Sequence, residues 1–129
     1  MTFSEAVSTV LGKYAVFSGR AGRAEFWWWF LALLIVTAVA QLVDRGLVSP
    51  MFGYGMFSDD AIHPVSAIIN LAVLLPNLGV NFRRLHDTDR SAWWILIALI
   101  PIIGILVLLY FFTQPGSRET NRFGPPPAL

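Results

Sequence analysis

"AWWILIALIPIIGILVLLYFF", residues 92–112, runs for twenty-one residues without a charged side chain. As an α-helix it would measure about 31 Å, enough to cross the hydrocarbon core of a bilayer once. Pro101 and Gly104 at its centre interrupt the pattern, because proline lacks a backbone donor and glycine lowers helix propensity. Two foldings compete. One is a single crossing kinked at Pro101/Gly104; the other descends to Pro101, bends and returns, with arms of only about 13 Å each. Backbone at such a bend must find its hydrogen bonds inside the protein, and on that ground the kinked crossing is expected. The choice decides the fold, since it sets the side on which the tail emerges.

The rest of the chain supports lipid as the solvent. Of 129 residues, 56% are hydrophobic and 13% charged, about half the charged share of a soluble domain. The mean hydropathy of +0.63 agrees. A net charge of +1 without a long basic run gives a nucleic-acid interface no footing. Cysteine is absent, which removes disulfides, thiolate metal sites and cysteine nucleophiles together. Glu5 and Lys13 interrupt the first apolar run, so a cleavable signal is not expected there.

Working outward, residues 2–16 read as an interfacial amphipathic helix, with Phe3, Val7, Val10, Leu11 and Tyr14 at helical spacing and Thr2 and Glu5 in a capping-box pattern. A first span is expected over 24–44, opened by Trp27, Trp28 and Trp29 at the depth of an aromatic belt. Residues 45–64, with Pro50, Gly53, Gly55, Asp59 and Asp60 among Met51, Phe52, Tyr54, Met56 and Phe57, read as a loop resting in the headgroup zone. A second span is expected over 64–82, a third over 92–113, and a polar tail over 114–129. The expected fold is therefore an all-α integral membrane protein with three transmembrane helices behind an interfacial one, in a single domain.

The second span is the least apolar. At 100° per residue, Ser66, Asn70, Asn77 and Asn81 share one sector. Thr37, Gln41 and Asp44 share a face of the first span, and these two polar faces need each other, a neighbouring subunit or a water-filled cleft. Pro76 is expected to kink the second span.

Orientation follows from lysines and arginines in short flanks. Lys13, Arg20 and Arg23 precede the first span, and Arg83, Arg84 and Arg90 lie in the connector after the second. These outnumber Arg45, Arg118 and Arg122, so the N-terminus and the connector are expected to be cytoplasmic and the tail external. The two tail arginines run against that assignment.

Three polar stretches remain: "FSGRAGRAEFW" at 17–27, "NFRRLHDTDRSAWW" at 81–94 and "PGSRETNRFGPPP" at 115–127. Together they resemble the domain-of-unknown-function 805 family of small bacterial inner-membrane proteins, in a G-R-x-x-R-x-E-[FY]-W entry, an F-R-R-L-H-D-x-x-R-S-x-W-W connector and a closing N-R-[FY]-G-P. The likeness covers almost the whole chain outside 44–64. It implies a fold and a place in the bacterial inner membrane, and no activity. On these positions it singles out Gly19, Arg20, Arg23, Glu25 and Trp27; Phe82 to Asp87 with Arg90, Ser91 and Trp94; and Asn121 to Pro125. One position departs, because glycine is common in the family where Asp89 stands.

The chemistry of these residues favours an anion. Arg20, Arg23, Arg83, Arg84 and Arg90 fall on one expected face, and guanidinium forks grip phosphate in a bidentate manner. Glu25, His86, Asp87, Asn121 and Arg122 complete the candidate site; the alternative is that the arginines only enforce topology, with Glu25, Asp87 and Asp89 paired to them internally. His86, Asp87 and Asp89 form only a loose metal pattern with no recognised spacing, no cofactor is implied, and no nucleophile accompanies a His-Asp pair. Ser91 reads as the N-cap of the third apolar stretch. The expected function is non-enzymatic: recognition of a partner protein or an anionic lipid or solute by the cytoplasmic Arg/His/Asp cluster, in a homo-oligomer surrounded by membrane lipid. One rival is a small-solute or ion path along Thr37, Gln41, Ser66, Asn70, Asn77 and Asn81. Another is a membrane enzyme acting on phospholipid-like substrates.

Overall fold

Helix-forming sequence dominates, and apart from one isolated bridge between Asn121 and Gly124 every regular element among the described residues is helical. The computed structural model describes residues 2–53, 55 and 63–127. Eight of the twenty residues of the expected loop, Tyr54, Met56, Phe57, Asp59 and Asp60 among them, lie outside the described residues. The chain divides into two compact units, one of residues 1–29 with 75–129 and one of residues 30–74.

In the larger unit, α1 spans Phe3–Gly12, with the Thr2 hydroxyl accepting from the Glu5 backbone N–H at its start. It ends three to four residues before the expected boundary. Its packed face is Ala6 and Val10, both fully buried, while Phe3, Leu11 and Tyr14 stay exposed. Of the expected apolar face Val10 is buried, with Ala6 beside it, while the partly exposed Phe3 packs edge to face on Trp28 at 5.7 Å. A Cβ on Gly79 would lie 3.0 Å from the Val16 carbonyl oxygen, so the segment after α1 runs directly against the helix Pro64–Asp87.

Helix α2 spans Arg23–Val43 and continues through a π-helical turn, Asp44–Val48, to Met51. The expected loop thus begins as helix. Helix α3 spans Pro64–Asp87 and passes unbroken through the buried Pro76. It runs five residues past the expected end at 82, so Arg83, Arg84, Leu85, His86 and Asp87 are the last turns of a helix and not a connector. The fall in hydropathy there reflects polar side chains turned into protein: Arg83, Arg84, Leu85, His86 and Asp87 are all buried.

The end of α3 is a Schellman closure. Arg90 N–H reaches Leu85 O and Asp89 N–H reaches His86 O, with Asp89 in the left-handed region at φ 58°. That conformation explains why glycine suits this position. Asp89→Gly is expected to raise stability by about 0.5–1 kcal/mol, set against loss of its exposed ion pair with Arg122; a thermal melt in detergent that falls instead would contradict the assignment.

The third apolar stretch is not a kinked crossing. Residues Ala92–Leu99 form a 3-10 helix, capped by the Ser91 hydroxyl, and α4 spans Ile103–Thr113. The two fold back on each other: the Trp94 and Phe111 rings meet edge to face at 5.4 Å, and the Arg90 guanidinium lies 4.1 Å from the Phe111 ring centre. In a single helix crossing, those residues would be about 25 Å apart. At the tip, Ile102 has φ 65° and ψ −64°, and Ile103 N–H donates to Pro101 O across it, a γ-turn. The N–H groups of Ile100, Gly104 and Leu106 also find carbonyls within the hairpin. A bend was disfavoured because its backbone needs partners, and the turn itself supplies them. Gly104 permits the return, since a Cβ there would fall 1.6 Å from the Ile97 carbonyl oxygen.

In the smaller unit, Asp44 is fully buried and its carboxylate accepts from the backbone N–H groups of Val65 at 3.0 Å and Ser66 at 2.8 Å. The start of α3 is therefore capped by a side chain from the end of α2. A π-turn inserts an extra residue into the helical register, and this one begins at the residue that makes the cap.

Candidate functional site: a buried arginine clasp

Because the hairpin returns, the tail meets the end of α3, and the three polar motifs gather in one place. At the centre is the Asp87 carboxylate. Its Oδ1 accepts from Arg20 at 2.9 Å and its Oδ2 from Arg84 at 2.5 Å. Gly116 lies against it so closely that a Cβ would fall 1.9 Å from Oδ2. The Asp87 carbonyl accepts from Ser117 N–H at 2.8 Å.

Both arginines then spend their remaining donors on backbone carbonyls. Arg20 donates to Glu119 O at 2.9 Å, Gly124 O at 3.2 Å and Ser117 O. Arg84 donates to Ala21 O at 3.2 Å, Phe112 O at 3.1 Å and Gln114 O. The last two carbonyls belong to the C-terminal end of α4, where orphaned acceptors and the negative end of the helix dipole favour a cation. Each guanidinium ties the end of α3 to chain distant in sequence.

Around this centre, His86 stacks on Phe123 with ring centres 4.1 Å apart and planes 6° from parallel. Its Nδ1 lies 3.0 Å from the Gly19 carbonyl oxygen, a contact that needs the proton on Nδ1. Gly19 is at φ 88°, in the left-handed region, which turns the strand leading into Arg20. Asn121 donates to His86 O at 3.0 Å and accepts from Phe123 N–H at 2.9 Å, which holds the closing motif in its turn. Arg122 pairs with Asp89 at 3.3 Å on the exposed surface.

A second buried pair lies beside the first. Arg83 donates to Glu25 at 2.9 Å, while its Nε and Nη2, also buried, have no acceptor.

Of the two expected readings of the arginines, the internal pairing is present for Arg20 and Arg84 with Asp87 and for Arg83 with Glu25. Arg20, Arg83 and Arg84 are buried, Arg20 and Arg84 are occupied by carbonyls and Asp87, and Arg90 rests on Phe111. The metal pattern does not assemble: the Asp87 carboxylate is held between two guanidinium groups and Asp89 faces Arg122. Among the described residues no three acidic, histidine or cysteine groups converge.

Two cations are left over. Arg23 and Arg118 are exposed, make no ion pair among the described residues, and line a cavity of about 430 Å³ with Gly22, Gly116, Ser117 and Pro127. Arg118 was not among the expected site residues. The only sequence signal for it was its place inside the third motif, beside Gly116 and Ser117.

The expected intramembrane stripe is divided between the units. Thr37, Gln41, Ser66 and Asn70 line a small cavity of about 190 Å³ in the smaller unit. In the larger unit Asn77 accepts from the Trp29 indole N–H at 3.2 Å, and Asn81 donates to Asn77 O one turn back at 2.8 Å.

Two helices long and apolar enough to cross a membrane, an apolar hairpin too short to do so, and a polar clasp define a small helical membrane protein. The chain belongs to the family described as "Protein of unknown function (DUF805)", whose model matches residues 14–125. It is 45% identical over 120 residues to "Inner membrane protein YhaH" of Escherichia coli (strain K12), covering 93% of each chain. It is 40% identical over 121 residues to "Inner membrane protein YhaI" of the same organism, covering 92% of each. No solved structure matches it.

Proposed function

We propose that the protein crosses the bacterial inner membrane twice, through α2 and α3, and that residues 92–113 enter one leaflet and return. Eight residues of 3-10 helix and eleven of α-helix give arms of about 16 Å each, near half of a 30 Å hydrocarbon core. The tip suits lipid, with Leu99 80% and Ile102 72% exposed. Two crossings collect Lys13, Arg20, Arg23, Arg83, Arg84, Arg90, Arg118 and Arg122 on one side and leave Arg45 on the other. That asymmetry supports a cytoplasmic N-terminus, clasp and tail, and removes the conflict that an external tail carried.

On that face the protein acts as a non-enzymatic binding module for the phosphate of an anionic lipid headgroup. The observation that carries this reading is the pair Arg23 and Arg118, without an ion pair among the described residues, lining a cavity in which the Asp87 carboxylate is already held by Arg20 and Arg84. A clasp that fixes the backbone around these two guanidinium groups keeps them preorganised for an anion.

The test is lipid retained on purification, read by mass spectrometry. With about 1 kcal/mol per arginine near a lipid surface, Arg23→Ala with Arg118→Ala is expected to lower affinity for phosphatidylglycerol roughly 30-fold. Phosphatidylethanolamine retention should hardly change. Undiminished phosphatidylglycerol on a folded double variant would refute the reading.

A further inference from the structure

Hydrocarbon offers an amide nothing to bond, so an unpaired polar side chain within a span needs protein beside it. In the unit of residues 30–74, the groove between α2 and α3 is lined by four polar side chains, two of them unpaired among the described residues. Thr37 is satisfied within its own helix, donating to Leu33 O at 2.7 Å. Ser66 is only 6% exposed and lies beside the Asp44 carboxylate, to which its backbone N–H donates. Gln41 and Asn70 line the same groove, are exposed, and make no hydrogen bond among the described residues. Thr37 and Gln41 lie inside the charge-free run of α2, at the depth of acyl chains.

The groove opens sideways, through its two exposed amides. A dissolved guest would therefore sit against lipid tails, whereas another helix would close the opening. An amide is self-complementary, because it carries a carbonyl acceptor and an NH₂ donor pair. Around a two-fold axis, Gln41 and Asn70 of one copy would meet Asn70 and Gln41 of the other, as an isologous interface requires. We infer that this face is a homodimer interface, closed by a second copy of the same chain. The inference is independent of lipid binding at the clasp.

Cross-linking tests it cleanly, since the chain has no cysteine. Ile69→Cys, in the groove wall, is expected to form a disulfide-linked dimer in membranes treated with a mild oxidant. Leu71→Cys, about 200° further round α3 and 74% exposed, is not. In the Ile69→Cys background, Gln41→Leu with Asn70→Leu should weaken dimerisation roughly tenfold or more while helicity by circular dichroism is unchanged. The inference fails if Leu71→Cys cross-links and Ile69→Cys does not. It fails equally if the leucine pair leaves cross-linking intact, or if Ile69→Cys stays monomeric and is labelled by a water-borne maleimide, which would make the groove a hydrated cleft.

Discussion

Gly104→Ala is expected to open the hairpin. The added methyl would stand 1.6 Å from the Ile97 carbonyl oxygen and 2.6 Å from its carbon, and no side-chain rotation can relieve an overlap with backbone. Overpacking of a fitted interior costs about 1–3 kcal/mol where side chains can shift, so the upper end of that range or more is expected here. The damage should spread beyond the tip. Opening the arms separates Trp94 from Phe111 and withdraws the Phe112 and Gln114 carbonyls from Arg84. Two measurements check it: the thermal midpoint in detergent, and disulfide formation in a Trp94→Cys, Phe111→Cys variant with and without Gly104→Ala. A tolerated alanine that preserves both would mean that residues 92–113 do not fold back in this way.

Asp87→Ala is expected to be the most damaging change in the clasp. One carboxylate serves both Arg20 and Arg84, and all three side chains are buried. Removing it leaves two cations facing each other in a site with little water, and breaking a buried pair from one side costs about 3–5 kcal/mol. Arg122→Ala makes the contrast, since its ion pair is 61% and 48% exposed on its two sides and such surface pairs contribute about 0–1 kcal/mol. Accumulated protein and the melting midpoint should separate the two variants clearly. Equal effects would deny that Asp87 is the hub.

Much of the fold was legible from composition and spacing. The charge-free runs locate α2 and α3, Thr2 and Ser91 cap the helices they were expected to cap, and the three motifs belong together. The misreadings share a cause. A run of twenty-one apolar residues fits one crossing or two half-depth arms equally well, and what separates them is the approach of Gly104 to Ile97, a tertiary fact. The end of α3 was missed because Arg83 and Arg84 look like solvent-facing residues, whereas backbone carbonyls that leave no mark in sequence surround Arg84. A guanidinium has five donors, and periodicity says nothing about who accepts them. Arg118 went unnoticed for the converse reason: only after the other arginines are accounted for does it stand out as unoccupied.

The reach of Arg20 also bears on the order in which the chain is finished. It is synthesised early, but its acceptors lie between 67 and 104 residues downstream, the last of them at Gly124. The N-terminal segment and the end of α3 already meet through Arg20 and Asp87, Arg83 and Glu25, and His86 and Gly19, whereas the remaining acceptors of Arg20 arrive only with the tail. A chain interrupted after α4 would have an unfinished clasp, with the Arg20 guanidinium lacking three of its carbonyls. The last stretch of the tail is thus what completes the clasp around Arg20, which is 5% exposed in the folded protein.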